Sequence, residues 1–115
     1  MKYLILLISG VIILTACAKT GKIKPEITID NNTILIDVRT KDEFKSGHLE
    51  KAINIPYTEI EGKINSITKD INQHIVLYCR SGRRSGIAQK TLLKMGYKNA
   101  VNGGGYKDLI KQQAK

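Results

Sequence analysis

Within five positions after Cys79 the chain places three arginines, Arg80, Arg83 and Arg84, together with Ser81 and Gly82, and Ser85 follows. A thiol held among fixed positive charges ionises readily, and such cysteines titrate at roughly 3.5–7.5 against about 8.5 for a free one. The same residues make an anion site: backbone N–H groups of a tight loop, and of the helix that follows, point at whatever negative charge sits there. A nucleophile and an anion-binding loop therefore share one stretch. The candidate catalytic residue is Cys79, and the candidate substrate-binding residues are Arg80, Ser81, Gly82, Arg83, Arg84 and Ser85. No cluster with metal-ligand spacing accompanies them, so neither a metal nor another cofactor is expected.

Two elements must hold this loop. The apolar run Ile75 to Tyr78 reads as a buried strand leading in, and Gly86 to Met95 reads as a helix leading out, with Ile87, Ala88, Thr91, Leu92 and Met95 inward and Gly96 as its cap. Upstream, Thr33 to Val38 is nearly continuous in apolar residues, as in a parallel-sheet strand buried on both faces. Thr40 and Glu43 have the spacing of a capping box for a short helix that Gly47 ends. Short strands are expected over Pro25 to Ile29, Ala52 to Ile55 and Ala100 to Val101. A weak helix interrupted by Gly62 is expected from Glu59 to about Ile67. Gly103 to Gly105 read as a loop, and Tyr106 to Gln113 as a terminal helix. Strands alternating with helices predict an α/β domain with a mainly parallel sheet, and in such sheets sites gather at the carboxyl ends of strands, where Cys79 lies. Asp37 and His48 invite acid-base roles. Each follows a local signal for structure instead: Asp37 sits beside Arg39 at a strand end, and His48 comes directly after a helix-ending glycine.

The first residues have a different character. Lys2 precedes the eleven-residue apolar run Leu4 to Leu14, which is short of the ~20 residues a membrane-spanning helix needs. The run ends in Leu14-Thr15-Ala16-Cys17, which resembles the bacterial lipobox. That resemblance implies a lipoprotein signal peptide cleaved after residue 16, lipid on Cys17, a basic tether over 17–24 and a domain over 25–115. It also implies a lipid-anchored, extracytoplasmic protein of the cell envelope. Lipidation would leave Cys79 without a disulfide partner, because the chain has two cysteines. The net charge of +9 favours anionic partners. No basic-aromatic stripe of the kind single-stranded nucleic acid needs is present, so no nucleic-acid partner is expected.

Three stretches then resemble the rhodanese-like domain family. They are Asp37-Val38-Arg39-Thr40-Lys41-Asp42-Glu43-Phe44-Lys45-Ser46-Gly47-His48-Leu49 with Ala52-Ile53-Asn54-Ile55-Pro56; Val76-Leu77-Tyr78-Cys79-Arg80-Ser81-Gly82-Arg83-Arg84-Ser85; and Met95-Gly96-Tyr97 with Val101-Asn102-Gly103-Gly104-Gly105-Tyr106. The resemblance implies a central, mainly parallel five-stranded sheet with helices on both faces. It implies a thiosulfate sulfurtransferase that passes sulfur through a Cys79 persulfide to cyanide or a thiol; separately, a monomer is expected. In that role Arg83 and Arg84 would hold the dianionic donor, with Arg84 facing the site and Arg80 turned to solvent. Lys51 and Tyr106 depart from the family pattern, which usually has glycine and often tryptophan there.

Two rivals remain at this stage. A related cysteine phosphatase or arsenate reductase would need arginine six positions after the cysteine, where this chain has Ser85. The second is a non-catalytic sulfur-carrier or anion-binding module, since many rhodanese-like domains lack the cysteine that this chain has.

Overall fold

The computed structural model describes residues 26–114. The expected signal peptide, Cys17 and its tether, Pro25 and Lys115 lie outside those residues. The elements in chain order are β1 (Ile34–Asp37), α1 (Lys41–Lys45), β2 (Ile53–Asn54), a 3-10 turn (Tyr57–Glu59), α2 (Ile60–Ile67), β3 (Ile75–Cys79), α3 (Arg83–Lys94), β4 (Ala100–Gly105) and α4 (Tyr106–Gln113). The strands form one sheet in the order β2-β1-β3-β4, and every neighbouring pair is parallel.

The two central strands explain the two cores. Successive side chains of a strand point to opposite faces. Ile36, Val38, Ile75, Leu77 and Cys79 therefore face one way, against Ile60 and Ile64 of α2 and Ala88 and Leu92 of α3. Leu35, Val76 and Tyr78 face the other way, against Leu109 of α4. A strand covered on both faces is apolar at nearly every position, Asp37 at the end of β1 being the exception, which is why these two runs lack the polar alternation of a half-exposed strand. Each fully buried Ile or Leu contributes about 1.5–3 kcal/mol, so the chain builds its core without tryptophan.

The helices do lie on both faces, and four of the five expected strands form. Of the strand expected over Pro25 to Ile29, residues 26–29 are described and form no strand pairing among the described residues. Ile27 and Ile29 pack on the α4 side of the core, and the Ile27 carbonyl accepts from Gln112 Nε2 at 2.6 Å. A side chain thus takes the place of a neighbouring strand.

Three further expectations change. Helix α3 starts at Arg83, not Gly86, because Gly82 turns the chain with φ +98° and the Gly86 N–H reaches the Gly82 carbonyl at 3.0 Å. Its buried face is Ser85, Ala88 and Leu92 while Ile87 is exposed, since the early start sets the face by the spacing from Ser85. Gly103 to Gly105 belong to β4 rather than a loop. A Cβ on Gly103 would stand 2.9 Å from Val76 Cγ1, and one on Gly105 would stand 2.6 Å from the Arg80 carbonyl oxygen. Close approach to β3 demands glycine, which overrides glycine's poor strand propensity. Finally, α2 runs through Gly62 without interruption, its register fixed by buried Ile60 and Ile64.

Short elements position the region ahead of the site. The Thr40–Glu43 capping box forms in both directions and fixes α1. Lys51, the departure from glycine, adopts φ +70°, a left-handed conformation that costs a side-chain-bearing residue about 1–2 kcal/mol. The turn keeps the shape that glycine would give it.

Candidate active site

Cys79 ends β3, fully buried. Its Sγ accepts from the Gly82 backbone N–H at 2.9 Å and lies 3.5 Å from the Ser85 hydroxyl. Burial alone pushes the thiol up. The Ser85 hydroxyl and the backbone N–H groups of Ser85, Ser81 and Gly82 outweigh it, so the thiol settles at about 7. These donors converge because Gly82 reverses the chain immediately before the α3 N-terminus. A Cβ there would make only ordinary contact with Gly104 Cα, at 3.4 Å, and it is φ +98° that favours glycine.

Behind the loop stands Asn102, a residue to which the sequence reading gave no role. Its Oδ1 accepts from the Ser85 hydroxyl at 2.7 Å and from the Gly104 N–H at 2.9 Å, and its Nδ2 donates to the Gly82 carbonyl at 3.0 Å. One amide thus joins the active loop, the first turn of α3 and β4. The only signal in the sequence was a polar residue directly after the apolar pair Ala100-Val101. A hydroxyl carries one proton, so Ser85 gives it to one acceptor at a time. With the thiol neutral, Asn102 is the nearer acceptor. Once Cys79 ionises, Ser85 can turn its proton to the sulfur, because Asn102 Oδ1 keeps the Gly104 N–H.

Replacing Ser85 with alanine therefore raises the Cys79 pKa. The thiolate is the alkaline form, so its fraction at a fixed neutral pH falls. The alkylation rate at pH 7 should drop about fivefold, with its inflection moved to higher pH. An inflection unchanged from the parent protein would remove Ser85 from this role.

The arginines separate. Arg84 makes a two-pronged ion pair with Glu43, Nη1 to Oε1 at 2.7 Å and Nη2 to Oε2 at 3.0 Å. The Arg84 guanidinium, helped by the Thr40 N–H and hydroxyl, holds the Glu43 carboxyl down at about 2 against burial. The pairing is between partners 41 residues apart, one in the first turn of α1 and one in the first turn of α3. Arg83 is exposed at the start of α3, as is Ser81 in the loop. Arg80 is exposed too, yet it borders a cavity of about 420 Å³ with Arg39, Glu43, Ser46, Tyr106 and Lys107.

Asp37 and His48 stand in structural roles. Asp37 is fully buried and takes the Arg39 backbone N–H at 2.9 Å, Nε at 2.9 Å and Nη2 at 2.6 Å. The same Nη2 donates to the Gly47 carbonyl at 2.7 Å, and the guanidinium lies 4.6 Å from the Tyr106 ring centroid. This pairing holds the Arg39 guanidinium above its ordinary value. The Tyr78 hydroxyl, pushed up by burial, accepts from the Leu49 N–H at 3.0 Å. His48 stacks on Phe44 at 3.6 Å between centroids, and its Nδ1 lies 2.8 Å from the Phe44 carbonyl oxygen.

Comparisons with known proteins agree with this fold. The family model described as "Rhodanese-like domain" matches residues 24–112. The thiosulfate sulfurtransferase PspE of Escherichia coli is 39% identical over 80 residues, covering 70% of this chain and 77% of that protein. The thiosulfate:glutathione sulfurtransferase of Saccharomyces cerevisiae is 35% identical over 81 residues, covering 61% of this chain and 58% of that protein. Among solved structures, a rhodanese with anions from E. coli superposes with a TM-score of 0.64 at 39% identity, covering 66% of this chain and 89% of its own. A human single-domain sulfurtransferase superposes with a TM-score of 0.61 at 25% identity, covering 70% and 82%.

Proposed function

The chain belongs to the rhodanese-like domain family, and from that premise we propose that it is a thiosulfate sulfurtransferase working through a persulfide on Cys79. The carrying observation is a buried thiol brought to about 7 by backbone N–H groups and Ser85 at the end of a parallel strand. In the first half-reaction the Cys79 thiolate attacks the outer sulfur of thiosulfate. The sulfur–sulfur bond of the donor breaks, sulfite departs with the electron pair, and a Cys79 persulfide remains. In the second, an acceptor such as cyanide or a thiol attacks the outer sulfur of that persulfide and releases Cys79 as thiolate. This is double-displacement covalent catalysis.

The protein contributes charge stabilisation at fixed positions. The N–H groups of Ser81, Gly82 and Ser85 that lower the thiol would also serve the persulfide anion. The α3 N-terminus, with Arg83 exposed beside it, favours the dianionic donor. Arg84 is already committed to Glu43, so its part is to brace the loop and add positive potential while the carboxylate shares its charge. The phosphatase reading fares poorly on the same geometry: Ser85, at the position that reading reserves for arginine, is buried against the sulfur. Incubation with thiosulfate should add the mass of one sulfur atom to the protein, and no gain would defeat the proposal.

We also propose that the chain is tethered to a membrane of the cell envelope by lipid on Cys17. The lipobox-like Leu14-Thr15-Ala16-Cys17 and the preceding apolar run support this reading. Several acyl chains, each methylene buried at about 0.8 kcal/mol, would hold it there. Labelled palmitate should enter the wild-type protein and not a Cys17→Ala variant. Equal labelling of both would end this assignment.

A further inference from the structure

Two cavities of about 420 Å³ flank the active loop, and their linings differ in sign. One is bordered by Ser81, Gly82, Asn102 and Gln112, and its only charged group is Asp108. The other carries Arg80, Lys107 and Arg39, with Ser46 and Tyr106 beside them and Glu43 on one wall. In the second cavity Arg39 is committed to Asp37 and the Gly47 carbonyl, and Glu43 to Arg84. Arg80 and Lys107, both exposed, have no carboxylate within ion-pair distance among the described residues.

The sheet register ties this cavity to the end of β3, which carries the thiol. Arg80 directly follows Cys79. Cys79 pairs in register with Gly105, and the Arg80 carbonyl packs so tightly on Gly105 that no Cβ fits between them. Tyr106 and Lys107 are the next two residues. Two cations without an ion-pair partner among the described residues therefore line one cavity beside the strand ends that carry the thiol.

We propose that this cavity is the acceptor subsite and that Arg80 and Lys107 select small thiols bearing carboxylates. The inference rests on the persulfide reading above. The acceptor enters as R–S⁻, its carboxylates against Arg80 and Lys107, and attacks the outer sulfur of the Cys79 persulfide. A new sulfur–sulfur bond forms on the acceptor. The bond to Cys79 Sγ breaks, Cys79 keeps the electron pair as thiolate, and any proton on the outer sulfur leaves with the product. An anionic thiol is otherwise a poor attacker of an anionic persulfide, and two cations at the mouth offset that repulsion.

The test loads the full chain with thiosulfate and compares mercaptosuccinate, a dicarboxylate thiol, with neutral 2-mercaptoethanol as acceptors. At low salt the ratio of their kcat/KM values should fall about fivefold in Lys107→Ala and in Arg80→Ala, and further in Lys107→Glu. Added salt should flatten the wild-type preference as it screens these exposed charges. A ratio unchanged in all three variants, or an equal loss for both thiols, overturns the subsite. So does a slowing of sulfur loading from thiosulfate as large as the slowing with mercaptosuccinate, because the two cations would then serve the donor. If wild type takes up no sulfur at all, the sulfurtransferase reading falls and the subsite with it. Normal loading without thiol discrimination removes the subsite alone.

Discussion

Replacing Cys79 with serine should reduce thiosulfate turnover to background, a loss of at least about 10³-fold, and abolish the mass gain on incubation with the donor. The substitution retains the fold. Oγ is smaller than Sγ, remains within the loop, and can still accept from the Gly82 N–H that meets Sγ at 2.9 Å. The nucleophile itself is lost. Among the described residues a serine hydroxyl has no neighbouring base to activate it: His48 is engaged by Phe44, and Asp37 is closed off by Arg39. With the parent protein, kcat/KM for the donor should rise with pH through about 7 and then level, because the reactive thiolate is the form present above the thiol's pKa of about 7. Varying donor at several acceptor concentrations should give parallel double-reciprocal lines, the signature of two displacements sharing one covalent intermediate. A serine protein that still gained sulfur would place the nucleophile elsewhere.

The largest effect on stability is expected at Arg39. Asp37 is fully buried and Arg39 nearly so, and four hydrogen bonds run from Arg39 to that one carboxylate. Arg39→Ala keeps only the backbone N–H and leaves a buried charge otherwise uncompensated, at a cost of about 3–5 kcal/mol. It also frees the Gly47 carbonyl and removes the cation from over Tyr106. A domain of this size has about 5–15 kcal/mol in all, so urea or thermal denaturation should show a large loss or outright unfolding. The double variant Asp37→Asn with Arg39→Met separates causes. It removes both charges, and it should recover a substantial part of the stability if the unpaired carboxylate is the source of the damage. A double variant as unstable as Arg39→Ala would assign the cost to lost packing and to the Gly47 contact.

What could be seen in the sequence was what short spacing encodes. The capping box needs only Thr40 and Glu43 three residues apart, and it forms as spaced. The apolar runs around Ile36 and Leu77 declare strands covered on both faces, and they lie side by side at the centre of the sheet. The cysteine loop declares itself because its glycine, arginines and serines are neighbours. What escaped depends on partners distant in the chain. Nothing local marks Glu43 as the partner of Arg84, or Asn102 as the support of Ser85 and Gly82. The three glycines of β4 look like a loop until the carbonyl of Arg80 and the side chain of Val76 are found against them. Ile87 looks inward only while α3 is taken to begin three residues late.

The parallel sheet also imposes an order of events on the newly made chain. Every strand pairing in it joins segments separated by a crossover, so loop closure must precede each one, and sheets of this kind form slowly. Asn102, whose amide holds the Gly82 carbonyl and the Ser85 hydroxyl, lies on β4 and is synthesised after the whole reactive loop. Until β4 docks, the Gly82 carbonyl and the Ser85 hydroxyl lack the Asn102 amide that holds them. The arrangement that lowers the Cys79 thiol is thus completed only by a residue from a strand made after the loop itself.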